Sequence, residues 1–248
     1  MEEILDLAVK CSMDSVELRA DEAFLASFTD GEAWRTRFNA KGITITDVAS
    51  SIFIRSSEIP DSSQAYLEMA HSLGAKALRI FAAADATGRL DLNEIAEGIK
   101  KLCSIALEKG IQIWLETHSE LSSGKMCREL LDKVNCTNLK ILWDILHSME
   151  YGETLSETYG YIGNAVSHVH LKDGVPAADK REYTLCALGE GEFPFEEAMS
   201  LLKREGFDGC LSLEWETPWC PSLRGIYENN ELLLKKYNEI LDKAGATK

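Results

Sequence analysis

The chain has 248 residues, 45% of them hydrophobic, enough for one large domain or two small ones around a sizeable core. Its 41 acidic residues outnumber 26 basic ones, for a formal net charge of -15. That balance argues against a nucleic-acid partner, whose affinity would rest largely on Lys and Arg, while a small anionic substrate needs only a few local cations.

The 7 cysteines are scattered without a C-x-x-C pair, which fits reduced thiols rather than a disulfide framework or zinc knuckle. The opening Met1-Glu2-Glu3-Ile4-Leu5 is acidic and lacks the basic flank of a secretory signal. No apolar run approaches the roughly 18 residues of a membrane span. A cytoplasmic protein with no membrane partner is expected.

Strand-like and helix-like segments alternate along the chain. It opens in a helix-like stretch through Ile4, Leu5, Ala8 and Val9, and a first strand follows at Val16. Further strands are predicted to begin near Ile43, Ala77, Ile111, Leu139, Val166 and Cys210. The clearest helix covers 91–109: Asp91 with Glu94 makes a capping box, Ile95, Ile99, Leu102 and Ala106 share one face, and Gly110 ends it. A second covers 194–205, with Pro194 near its first turn and Gly206 behind it, and a last one covers 227–243 through Leu232, Leu233, Tyr237, Ile240 and Leu241.

No linker interrupts the alternation, so 1–248 reads as a single domain of repeated βα units with parallel strands. The Gly-rich fingerprint of a doubly wound nucleotide-binding sheet is absent, and polar groups sit at the ends of several separate strands. Both features favour a parallel (β/α) TIM-type barrel. Only seven strands are recognisable, as though the first had been left off. A gap there would leave strand edges beside Val16 and Cys210, which allows a homo-oligomer.

Four apolar runs end on a carboxylate or an imidazole: Glu116, Asp144, His170 and Glu214. Any one alone could cap or hydrogen-bond a strand end. Four in one half of the chain point to one site, because a charge at a strand exit is costly unless paired or bound to metal. Three carboxylates and an imidazole suit Mn²⁺, Mg²⁺ or Co²⁺, with zinc less favoured by so oxygen-rich a set.

The neighbours divide by face. His168 lies two residues deeper than His170, as a buried, hydrogen-bonded histidine or a second ligand. His118 is either a substrate contact or a surface-loop residue, and Glu216 a substrate contact or a rim residue. Lys172 points inward with His170, to hold an anionic or hydroxyl group or to pair with a mouth carboxylate. Glu17, Arg19 and Arg79 line the pocket floor or form an internal Arg–Glu pair. Trp143 and Trp215 face the outer helices. The segment 173–192, with Lys180, Arg181 and Tyr183, is long for a connection and reads as a lid or a solvated connector. Cys103 and Cys127 lie in helix-like surroundings and read as inert.

Read in series, several motifs carry a family resemblance. They are Leu115-Glu116-Thr117-His118, Asp144-x-x-His147, the His-x-His-x-Lys-Asp of 168–173, Leu188-Gly189-Glu190-Gly191-Glu192, and Asp208-Gly209 leading into Leu213-Glu214-Trp215-Glu216. The chain resembles the xylose-isomerase-like barrel superfamily, in particular its sugar phosphate isomerase/epimerase branch, over about 1–243. The resemblance implies that Glu116, Asp144, His170 and Glu214 bind one divalent metal ion. It also implies that Glu116 and Glu214 serve as acid and base on opposite faces of a sugar carbon, through an enediolate, with His147 contacting a substrate oxygen.

The expected partner is a small carbohydrate; no Gly-rich phosphate cradle is evident. Two alternatives share the barrel: a lyase of keto-inositol dehydratase or 3-keto-glycoside eliminase type, and a degenerate barrel without catalysis. The apurinic endonucleases of the superfamily share Asp144-x-x-His147. Their later Asp-x-His ligand motif has no counterpart at 178–183, which argues against DNA repair.

Overall fold

The seven apolar runs lie side by side and parallel. A computed structural model describes residues 1–178, 182–216, 220, 223 and 235–242. Its main sheet contains β1 (Ser15–Ala20), β2 (Thr44–Ile54), β3 (Ala77–Ala82), β4 (Gln112–Glu116), β5 (Leu139–Asp144), β6 (Val166–Leu171) and β9 (Cys210–Leu213), paired in that order. Every pairing is parallel, and the sheet curves into a nearly closed TIM-type barrel of seven strands. Among the described residues β1 and β9 do not pair with each other, so the barrel has a seam where the missing strand was expected.

Helices α1 (Glu2–Lys10), α2 (Glu22–Ser27), α3 (Gly31–Ala40), α4 (Ser63–Leu73), α5 (Leu92–Glu108), α6 (Gly124–Val134), α7 (Ile145–Tyr151), α8 (Leu155–Ile162) and α9 (Phe195–Arg204) lie between the strands. None of the described helices is long and apolar enough to cross a membrane. Residues 235–242 are helical; the rest of the helix predicted over 227–243 lies outside the described residues.

Helix α5 shows why the sequence folds this way. Ile95, Ile99, Leu102 and Ala106 are all buried on one face, each Ile or Leu contributing about 1.5–3 kcal/mol. Asp91 caps the backbone N–H groups of Asn93 and Glu94. The predicted return bond from Glu94 is replaced by an ion pair, because its carboxylate lies 3.0 Å from Arg89. Gly110 and Gly206, behind α5 and α9, sit at φ 69° and 70°, where a Cβ would be strained.

The segment 173–192 departs from the expectation of a simple lid or connector. It forms a hairpin of β7 (Asp173–Pro176) and β8 (Tyr183–Cys186); Lys180 and Arg181 lie outside the described residues. Buried Asp173 organises its return, accepting N–H bonds from Gly174, Gly189, Gly191 and Phe193 at 2.7–3.1 Å. Gly191 is required there, since a Cβ would collide with the Asp173 carboxylate and the Gly174 carbonyl.

The main apolar core lies between sheet and helices. Trp143 belongs to it, facing outward as expected, with its ring 5.8 Å from Tyr159 and Nε1 donating to Ser148 Oγ at 3.1 Å. Cys103 and Cys127 are buried on α5 and α6, and burial pushes the Cys127 thiol up to about 12. Inside the barrel, Ala77, Trp114 and Leu142 form a small separate cluster. Much of the rest of the interior is charged or polar, and that is where the site begins.

Candidate metal centre at the barrel mouth

Glu116 ends β4 and Asp144 ends β5; His170 lies on β6, and Glu214 follows β9 directly. Parallel register aligns them: Asp144 lies beside His170, and the Glu214 N–H is held by the Leu171 carbonyl at 3.0 Å. The structure brings all four together, with one ligand atom from each within 4.8 Å of the others. Thr117 fixes the β4–β5 junction, its hydroxyl donating to the Asp144 carbonyl (3.0 Å) and accepting from the Asp144 N–H (2.9 Å).

The donor atoms fit a cation. Glu116 Oε2, Asp144 Oδ2 and His170 Nδ1 are buried without a well-aligned hydrogen bond, their nearest partners being the charged groups around them, and buried polar atoms are ordinarily bonded. Positive charge already gathers around them. The Lys172 ammonium lies 2.7 Å from Asp144 Oδ2, 3.0 Å from Glu214 Oε2 and 2.9 Å from Glu216 Oε1. Arg79 Nε lies 3.2 Å from Glu116 Oε2. Three carboxylate oxygens and one imidazole nitrogen form a set that divalent ions take readily.

The remaining candidates fall into place around this centre. Arg79 is buried, in the internal Arg–Glu pair and against the Phe81 ring at 4.2 Å, rather than at the open mouth. Lys172 makes the mouth ion pairs and lies 3.3 Å from His147 Nε2. His147 is on α7, whose first turn Asp144 caps; its Nδ1 lies 2.9 Å from Glu150 Oε2. His118 is not on a surface loop away from the site: its ring lies 4.7 Å from His147 and 4.8 Å from Phe81. Glu216 reaches Lys172 at the rim. His168 is buried beneath His170, with Nε2 2.6 Å from Ser212 Oγ and Nδ1 3.3 Å from Asp47 Oδ1. Trp215 lines a cavity of about 320 Å³ beside the seam.

Two interior groups escaped the sequence reading. Asp47 is fully buried midway along β2, with His168 Nδ1 3.3 Å from its Oδ1. Its sequence signal is a carboxylate inside an apolar β-run. Thr117 is the second, hidden because a threonine after a strand has many ordinary uses.

Proton affinities diverge across the site. Burial pushes the Glu116 carboxyl up to about 7, with Glu214 and Asp144 adding to the rise against the pull of Arg79 and His170. Burial also opposes ionisation of Glu214, yet the charges of His170 and Lys172 hold it well below the usual carboxylate range. Burial, then His147, lowers His118 to about 4. Burial works against His147 too, but Asp144 and Glu150 raise it.

Comparisons agree with the architecture. A Clostridium perfringens protein named inosose dehydratase is 23% identical over 220 residues, covering 75% of this chain and 74% of its own length. An uncharacterized Methanocaldococcus jannaschii protein, MJ1311, is 28% identical over 157 residues, 60% of this chain. The match spans only about half of that protein, 50% of its length. Among solved structures, a xylose isomerase domain containing protein from Salmonella typhimurium LT2 superposes with a TM-score of 0.81 at 21% identity, covering 97% of this chain and 92% of its own. The IolI protein, solved with a bound zinc atom, gives 0.77 at 18% identity, covering 98% and 92%. A D-psicose 3-epimerase solved in the presence of D-fructose gives 0.75 at 14%, covering 98% and 93%. Residues 5–237 match the model of one family along nearly the whole chain, and the chain belongs to that family, the xylose isomerase-like TIM barrels.

Proposed function

We propose that this chain is a divalent-metal-dependent enzyme acting on a small sugar or sugar derivative, removing a proton beside a carbonyl and returning it as an isomerase or epimerase. One observation carries the reading: Glu116 and Glu214 stand in one cluster with Asp144 and His170, one ligand atom of each within 4.8 Å of the others. Two carboxylates at one such centre divide the work of acid and base.

The residues that would hold the ion are Glu116, Asp144, His170 and Glu214. When bound, it supplies Lewis-acid polarisation of the substrate's carbonyl and neighbouring hydroxyl oxygens. Mn²⁺, Mg²⁺ and Co²⁺ suit the donor set, and zinc gains support from the zinc-bound IolI structure. Glu214, ionised, takes the proton; the C–H electron pair becomes the carbon–carbon double bond and the carbonyl π pair moves onto its oxygen, giving an enediolate. Glu116 returns a proton to the opposite face of the same carbon for epimerisation; for isomerisation it protonates the adjacent carbon while the neighbouring hydroxyl gives up its proton to the former carbonyl oxygen. Lys172 and His147 donate to the oxygens that gain charge.

A lyase is the second reading, supported by the curated relatives named inosose dehydratase and by a structural neighbour described as a probable 3-DHS dehydratase. It starts with the same proton abstraction. The electron pair then expels a β-hydroxyl, which leaves as water after protonation from His147 or Lys172.

Metal-loaded protein in D₂O, incubated separately with ketohexoses and with a keto-inositol, separates these outcomes by NMR. Deuterated epimers or isomers support the first reading, and loss of water supports the second. Absence of both deuterium exchange and bound metal refutes the enzyme and leaves a degenerate barrel.

A further inference from the structure

Glu17 belongs to none of the four ligand positions, yet it makes a close contact to one of them. Its Oε2 lies 2.7 Å from His170 Nε2. The other ring nitrogen, Nδ1, is buried without a well-aligned hydrogen bond and lies 3.3 Å from Glu214 Oε2. An imidazole has one nitrogen on each side, so a hydrogen bond at one side decides which nitrogen faces a cation. With Nε2 hydrogen-bonded to the Glu17 carboxylate, Nδ1 is the nitrogen turned toward Glu214 and left for an ion that displaces its proton.

The contact also has an unusual place in the fold. Glu17 is on β1, an edge strand, and His170 is on β6, beyond the other edge strand β9. Their bond therefore crosses the open seam, where the described strands have no backbone ladder. Below it, Glu17 Oε2 lies 3.6 Å from His168 Nδ1, and Glu17 stands beside Asp47 in register. Burial opposes the charge on Glu17, but His170, His168 and Arg79 outweigh it and lower the carboxyl to about 2.

We propose that Glu17 is the positioning residue of the metal centre: by holding His170 Nε2 it presents Nδ1 to the ion, and it thereby couples ion binding to closure of the seam. The inference rests on the metal-centre reading above and adds to it a residue outside the ligand set. A purely structural ion pair would stabilise the fold and leave ion affinity untouched.

The test compares wild type, Glu17→Gln and Glu17→Ala. Zn²⁺ and Mn²⁺ dissociation constants come from competition with a chromophoric chelator, and hydrogen exchange of 15–20 is followed with and without ion. Glu17→Ala is expected to weaken binding by about 10–100-fold. Glu17→Gln keeps an oxygen acceptor for the Nε2 proton and is expected to lose less. Ion binding slows exchange in β1 of the wild type but not of Glu17→Ala. Wild-type affinity in both variants overturns the proposal and leaves the metal centre standing. A wild type that binds no ion overturns the metal centre and the positioning role together. If Glu17→Ala does not fold, Glu17→Gln decides: unchanged affinity and unchanged β1 protection refute the role.

Discussion

Replacing Glu116 by Gln is expected to stabilise the metal-free fold above neutral pH while destroying the centre. Burial raises this carboxyl from 4.5 to about 7. Between those values the folded chain keeps a proton that the unfolded chain has released, so stability falls as pH rises through the window. At about 1.4 kcal/mol per pH unit, holding Glu116 ionised in the fold costs roughly 3 kcal/mol above pH 7. Gln retains an oxygen for Arg79, which lies 3.2 Å from the present carboxylate, and never ionises. Urea melts in excess chelator are therefore expected to coincide near about pH 4 and to separate by roughly 3 kcal/mol near about pH 8, with Glu116→Gln the more stable. Added Zn²⁺ or Mn²⁺ should stabilise the wild type only. A difference independent of pH, or a variant less stable near pH 8, refutes the reasoning.

Lys172→Met leaves Asp144, Glu214 and Glu216 facing one another without the ammonium that now sits within 3.0 Å of each. The metal-free protein is expected to lose about 3–5 kcal/mol in urea melts, and a smaller loss at saturating ion would show that the cation replaces the lost charge. Two glycines test the packing. In α5, a Cβ on Gly98 would strike the Ser56 carbonyl and come within 2.8 Å of Ile54 Cγ2, whereas one on Gly160 in α8 meets nothing. Gly98→Ala should destabilise by about 1–3 kcal/mol and Gly160→Ala should stabilise by about 0.5–1 kcal/mol, both read by thermal melting.

The strands were legible because each is an apolar run bounded by polar residues, and the four ligand positions because a charge at a strand exit breaks that pattern. What stayed hidden depends on partners distant in sequence. Asp173 takes its place in the fold from N–H groups as far along the chain as Phe193, and nothing within the His-x-His-x-Lys-Asp motif announces them. Arg79 offered two readings, and only the position of Glu116 on the neighbouring strand selects the internal pair. Bulges matter as well: the β1–β2 register shifts between Val16 and Glu17, so strict alternation misjudges which residues on neighbouring strands stand level. Asp47 is lost in this way: its own segment marks it as a carboxylate in an apolar run, but only the shifted register sets it beside Glu17.

A barrel whose described residues supply seven strands can still hold this centre because of where the seam falls. The four ligand positions come from β4, β5, β6 and β9, which are consecutive neighbours joined by unbroken parallel ladders. The seam lies outside that arc, between β9 and β1, so no pair of ligand positions is separated by it. The polar groups of β1 must reach across it, and Glu17 does so onto His170. The cost of the seam therefore falls on the orientation of one imidazole and on the order of one edge strand, and the supply of donor atoms is untouched.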